Sequence, residues 1–135
     1  RSGLGRDCTG LPQPSRDAPM LQAALLGLID DACTEILTLT EEVDEAAFFR
    51  SRLTHAETVK RLKAVAQAAS ELPDSARSTI AEIDWARWQE LGRELAAGSA
   101  GPLTVWVAVR ELAPLTLNWL RVYRQSQPDL FRLNP

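Results

Sequence analysis

The sequence predicts an all-α fold, an antiparallel four- to five-helix bundle of up-and-down connectivity, closed by a kinked C-terminal helix. Three observations predict it. Apolar residues recur at spacings of three and four through several long stretches, and no alternating run of strand length occurs. Helix start and stop signals punctuate the chain: Thr54-His55-Ala56-Glu57, Leu72-Pro73, Asp84-Trp85 and Gly101-Pro102. The stretches between those signals are joined by short connections, which place successive helices antiparallel.

Residues 1–14 hold three glycines and two prolines without periodicity and read as a flexible arm. Ser15 or Asp17 then caps a first helix, with Pro19 tolerated in its first turn. Its expected buried stripe is Leu21, Leu25, Leu28, Ala32, Ile36 and Leu39. Thr40 to Glu45 is an acidic break, and Ala46–Ser51 a short helix carrying Phe48 and Phe49. Thr54 and Glu57 form a capping box that opens a second long helix, because hydroxyl and carboxylate can satisfy opposing orphan amides. Val59, Leu62, Val65, Ala66, Ala69 and Leu72 make its inner face, and Pro73 ends it. A short helix and turn cover Asp74–Ile83. Asp84 caps the next helix, in which Trp85, Trp88, Leu91 and Leu95 share one face. The small residues Ala96 to Gly101 end that helix, Pro102 starts the last, and the last runs to about Gln125. The bundle therefore spans 15–126, with a tail at 127–135.

The last helix is apolar on more than one side. Trp106, Ala113, Leu117 and Leu120 form one stripe, while Val105, Val109, Leu112, Trp119 and Val122 crowd another. A helix wetted along one face does not have this pattern. Either it is central in the bundle or its second face meets another subunit. Pro114 lacks a backbone donor and clashes with the carbonyl of Arg110, so a kink is expected there.

Composition bounds the function. At 135 residues there is room for one domain, and 45% hydrophobic with 24% charged residues is ordinary for a globular core. A net charge of −3 supplies no broad attraction to nucleic acid or anionic lipid, so RNA as a partner is unsupported by charge. Cys8 and Cys33 read as a tail thiol and a core thiol, which fits a reducing cytoplasm better than a disulfide framework. No apolar run reaches the roughly 18 residues of a membrane span, and residues 1–14 lack a secretory-signal layout. One histidine and two unmatched cysteines do not make a zinc site, and no metal or cofactor is expected. Gly98–Gly101 lacks the lysine and preceding strand of a phosphate loop and reads as a turn. No nucleophilic triad is present.

From about Met20 to Tyr123 the pattern resembles the HepT-like family, small helical proteins paired with nucleotidyltransferases of the MntA type in bacterial toxin–antitoxin modules. The resemblance rests on Phe48-Phe49-Arg50-Ser51-Arg52-Leu53-Thr54, on Val59-Lys60-Arg61-Leu62 through Leu72-Pro73, on Ile83-Asp84-Trp85, and on Trp106-Val107-Ala108-Val109 with Leu112 and Pro114-Leu115. It implies a homodimer with a cleft between subunits, and here an interface through Trp106, Val109, Ala113, Leu117 and Leu120. It also implies a ribonuclease that uses arginine, then histidine after four to six intervening residues, often with tyrosine two further. The arginine would hold phosphate, the histidine would move a proton, and the tyrosine would accept an inactivating AMP. Arg93 stands at the arginine position, but Gly98 and Ala100 stand where histidine and tyrosine belong. Neither can shuttle a proton or accept a nucleotide, so the resemblance implies a scaffold without its cleavage pair, and a partner of a nucleotidyltransferase.

Several other constellations compete. Arg93 could simply pair with Glu90, three positions earlier. Arg50 to His55 satisfies the arginine–histidine spacing literally, but in another helix, with His55 expected at the first position after the cap and facing solvent. An active endonuclease using Arg93 with a non-standard acid–base group, such as His55, is the alternative reading. Arg50, Arg52, Lys60, Arg61 and Lys63 read mainly as a counterweight to Glu41, Glu42, Asp44 and Glu45. Glu42-x-x-Glu45 and Glu71-x-x-Asp74 resemble the magnesium-binding spacing of MazG-type nucleotide pyrophosphohydrolases. That chemistry needs carboxylates on helical faces, whereas the first pair lies in a break and Pro73 interrupts the second. Asp30, Asp31 and Glu35 read as a solvated acidic face.

Overall fold

The structure, a computed structural model, describes residues 14–132, with side chains from Met20 onward. Nearly all of the expected arm therefore lies outside the described residues, as do Cys8 and the side chains of Ser15 and Asp17. Seven α-helices follow in order: α1 (Pro14–Thr40), α2 (Glu45–Arg50), α3 (Arg52–Glu71), α4 (Asp74–Thr79), α5 (Trp85–Ala97), α6 (Pro102–Val107) and α7 (Ala113–Ser126). A π-helical turn, Ala108–Leu112, fuses α6 to α7, and a 3-10 turn, Pro128–Phe131, follows. Four long elements, α1, α3, α5 and the fused α6–α7, pack antiparallel as an all-α bundle, with α1 lying between α3 and α7 and α5 against α3. No strand occurs among the described residues.

The caps explain where the helices begin. Asp84 Oδ1 accepts from the amide of Arg87 at 3.0 Å and so starts α5. Asp44 does the same for α2, accepting from Ala47 at 2.7 Å. At α3 the cap is Ser51, whose Oγ accepts from the Thr54 amide at 3.2 Å, so Thr54 is already inside the helix. The expected capping box of Thr54 and Glu57 is therefore not formed; a single serine cap in extended backbone meets the need three residues earlier, and the Glu57 carboxylate bonds Arg61. Pro102 occupies the first turn of α6, where its missing donor costs nothing.

The core runs the length of the bundle. Trp88, Phe48, Leu26, Ile29, Ile36, Leu62, Ile80, Leu91 and Leu120 are its largest fully enclosed residues. The stripe expected on α5 is wholly inside, and on α3 only Val59 is partly open. On α1 the stripe is turned: Leu25, Ala32 and Ile36 are buried, but Leu21 and Leu28 face outward and Leu26, Ile29 and Cys33 take the core positions. That helix carries two adjacent apolar stripes, and spacing alone does not choose between them. One cross-helix bond ties α5 to α7, the Trp88 indole N–H donating to Thr116 Oγ1 at 3.0 Å, both inside the core. Just after α7, Leu130 and Phe131 pack against the core, and the Arg124 guanidinium lies 4.6 Å from the Phe131 ring centre.

Pro114 is accommodated without a break. The π-helical turn sits immediately before it, and the Ala113 amide donates back to Ala108, five residues earlier. The extra residue lets the helix pass a proline that cannot donate while its neighbours keep partners.

Candidate functional site

Arg93 lies on the exposed side of α5, at the rim of a groove of about 520 Å³ between α3 and α5. Gly92, beside it, is where the two helices touch, since a Cβ there would stand 2.9 Å from the Ala66 Cβ. Lys63, Gln67, Ser70 and Gln89 complete the polar lining, and no carboxylate lines the groove. Arg93 does not pair with Glu90. That carboxylate is held by Arg87 at 3.0 Å, and Arg87 also lies 3.5 Å from Glu94. Among the described residues Arg93 and Lys63 make no ion pair, so the acids along α5 are drawn to Arg87 and leave Arg93 uncompensated. Lys63 is a residue that sequence spacing does not join to Arg93, because the link runs across two helices.

Gly98 and Ala100 lie beyond the end of α5. Gly98 adopts φ 72°, ψ 19°, the left-handed conformation that closes a helix. Its amide donates to Leu95 at 3.2 Å, and the amides of Ser99 and Ala100 both donate to the Glu94 carbonyl, at 2.9 and 3.2 Å. A Cβ at 98 would meet nothing within 4 Å, so strain rather than crowding resists a side chain there. The groove beside Arg93 therefore receives no proton-carrying side chain from either motif position.

His55 sits elsewhere. Because α3 begins at Arg52, His55 falls within the first turn and its ring turns inward, half-buried, with its centre 5.3 Å from that of Phe48. Phe48 also meets Phe49 at 5.4 Å and Trp106 at 5.2 Å, forming an aromatic cluster where α2, α3 and α6 join. Arg110 covers Trp106, 4.4 Å from ring centre to guanidinium carbon, and donates to the Val43 carbonyl. His55 precedes Lys63 by eight residues of α3, about 12 Å of helix axis. The single chain thus separates the only histidine from the Arg93 groove.

The residues expected at a dimer interface are mostly internal. Val109, Ala113, Leu117 and Leu120 are buried in the chain's own core, and Trp106 is half-buried in the aromatic cluster. The faces of the fused helix that carry these four residues are apolar because they lie against its own bundle, and the four offer a mate no surface.

The remaining constellations are scattered or neutralised. Glu42 and Glu45 flank the start of α2, whereas Glu71 and Asp74 flank the far end of α3, 20 residues and roughly 30 Å away. Asp74 is engaged by Arg77. Among the described residues no three histidine, cysteine or acidic side chains converge to hold a metal. Arg61, expected to balance the stretch at 41–45, instead binds Glu35 and Glu57, each at 2.9 Å. The Glu57 carboxyl is lowered by its bond from Arg61, and the Arg61 guanidinium raised by the same bond. Asp30, half-buried, is held by Arg124 at 3.1 Å. A larger open groove of about 790 Å³ runs between α1 and α3, with Leu28, Asp31, Glu35, Lys60, Arg61 and Phe131 on its walls. Within it Arg61 binds Glu35, and Arg124 at its edge is drawn to Asp30.

Among the described residues no helix is long and apolar enough to cross a membrane. Cys33 is buried, its thiol pushed up to about 12 by burial and, second, by Asp30, so it stays protonated and unreactive at neutral pH. Comparison with protein families, with curated proteins and with solved structures finds no match to this chain.

Proposed function

We propose that this chain is a HepT-like helical protein of the toxin–antitoxin type that has lost the ribonuclease pair and works by binding, as a homodimer and as partner of a MntA-type nucleotidyltransferase. The observation that carries the reading is the left-handed Gly98 at the end of α5, with Ala100 two residues on. At the positions where the resemblance expects a proton carrier and a modifiable phenol, the chain spends its residues on a helix stop. The order of elements supports the same reading: a short aromatic helix, a long helix ended by Leu-Pro, an Asp-Trp start and a proline-bearing last helix occur in the sequence-expected order. Arg93 keeps its place and lacks an acidic partner among the described residues, which favours one second reading, an endonuclease that takes its proton carrier from outside the motif.

Titration calorimetry of the purified chain against a MntA-type nucleotidyltransferase tests the binding role. A saturable complex, with no mass added to the chain when magnesium and ATP are present, is the expected result, since Ala100 cannot take AMP. Absence of any complex, or AMP attached to Tyr123, the chain's one tyrosine, would refute it.

A further inference from the structure

The close approach of Gly92 to Ala66 fixes how α3 and α5 lie against each other, and with it the positions of two cations. From that contact Lys63 lies three residues toward the start of α3, about 4.5 Å along the axis, and Arg93 one residue toward the end of α5, about 1.5 Å. Because the two helices run antiparallel, both steps point the same way. Lys63 and Arg93 therefore stand nearly level, offset by about 3 Å along the seam, one on each wall of the same groove. The floor between them is low, since Ala66, Gly92 and Ala96 carry nothing beyond a Cβ. Neither cation has a carboxylate partner among the described residues, and the Gln89 side-chain amide on the same seam has no hydrogen-bond partner among them either.

We infer that this seam docks an acidic segment of a protein partner, with one carboxylate seated between Lys63 and Arg93. The guanidinium offers a carboxylate two parallel N–H bonds, the ammonium closes the other side, and the low floor lets the segment's backbone come near enough for Gln89 to bond it. The surroundings select a short carboxylate-bearing segment over a nucleic-acid strand. Glu71, held by Gln67 at 2.7 Å, borders one end of the groove, and Glu90 and Glu94 follow Gln89 and Arg93 along α5, sharing Arg87 between them. A phosphate chain carries a charge at every step and would run against these acids on leaving the cation pair. A segment with one or two acids in a neutral stretch meets only the pair. The net charge of −3 works in the same direction. This role for Arg93 differs from the phosphate contact that the resemblance gives it, and Lys63 lies outside that motif, so the site does not depend on the toxin–antitoxin reading.

Nuclear magnetic resonance of the full chain tests the site, with backbone amide shifts followed as a capped tetrapeptide bearing two central glutamates is added. Saturable shifts confined to 63–70 and 89–96 are expected, shrinking as salt rises and absent with the glutamine counterpart of the peptide. Lys63→Gln combined with Arg93→Gln is expected to weaken binding by about tenfold or more, with Arg93→Lys falling between. Arg52→Gln, which removes another exposed cation of α3, is expected to leave it unchanged. All of these change exposed residues, and circular dichroism verifies that helical content is kept. Shifts that do not saturate, that spread to basic residues elsewhere, or that survive the double substitution overturn the site. Tighter binding at these residues by a short oligouridylate or by inorganic phosphate than by the glutamate peptide overturns the choice of partner and with it the proposal.

Discussion

Three threonines are enclosed in this core, and two have a partner for the hydroxyl: Thr40 Oγ1 donates to the Ile36 carbonyl at 2.8 Å, and Thr116 is the other. Thr116 Oγ1 accepts from the Trp88 indole N–H, whereas Thr58 Oγ1 is buried with no hydrogen bond at all. Removing the first leaves an indole donor orphaned in a dry core, so Thr116→Val is expected to destabilise by about 1–3 kcal/mol. Removing the second deletes an unpaired polar atom and keeps the shape, so Thr58→Val is expected to stabilise by about 1 kcal/mol. Chemical denaturation of both variants checks the pair, and equal losses would contradict it. Tyr123 gives a pH test. Its hydroxyl donates to Glu82 at 2.7 Å, and that bond raises its pKa above the ordinary phenol value. The fold therefore favours the protonated phenol, and this contribution is lost as pH rises above the unfolded value and through the folded one. Because the chain has one tyrosine, ultraviolet titration reads it directly. A midpoint above that of free tyrosine, returning toward it in Glu82→Gln, is the expected outcome; identical midpoints in the two would contradict the bond.

At the scale of elements, two helical glycines separate a needed absence from a tolerated one. Gly92 lets α5 approach α3 so closely that an added Cβ would press on the Ala66 Cβ at 2.9 Å. Gly27, in the middle of α1, has nothing within 4 Å of the same position. Gly92→Ala is therefore expected to push two helices apart and destabilise, by about 1–3 kcal/mol. Gly27→Ala is expected to stabilise by about 0.5–1 kcal/mol through helix propensity alone. Thermal melts that rank the two variants the other way would show that the α3–α5 contact is misplaced. The elements also show what spacing can and cannot decide. On α5 four apolar residues, an aspartate cap and a glycine stop agree, and that helix was legible to within a residue. On α1 two neighbouring apolar stripes compete, and only packing against α3 and α7 selects Leu26, Ile29 and Cys33 over Leu21 and Leu28. His55 was read one turn too early in its helix: with Ser51 rather than Thr54 as cap, three more residues of rotation bring its ring onto Phe48.

For the whole molecule, the bundle was legible because each long helix carries its own periodicity and punctuation. The surroundings of Arg93 were less so, because Lys63 joins it across two helices and Arg87, not Arg93, takes Glu90. The excess apolar surface of the last helix was legible, but its meaning was not. A side chain buried by its own bundle and one buried by a second subunit have the same sequence signature, and here Val109, Ala113, Leu117 and Leu120 are of the first kind. On the reading proposed above, the molecule is a helical bundle with no proton carrier beside Arg93. Arg93 faces a groove with Lys63 and neutral amides, Gly98 turns the chain away, and His55 is built into an aromatic cluster about 12 Å of helix axis from Lys63. The most direct test is a ribonuclease assay on single-stranded RNA with the full wild-type chain, Arg93→Ala and His55→Ala. The account predicts no cleavage above the buffer blank for any of them; cleavage by wild type that either substitution abolishes would contradict it.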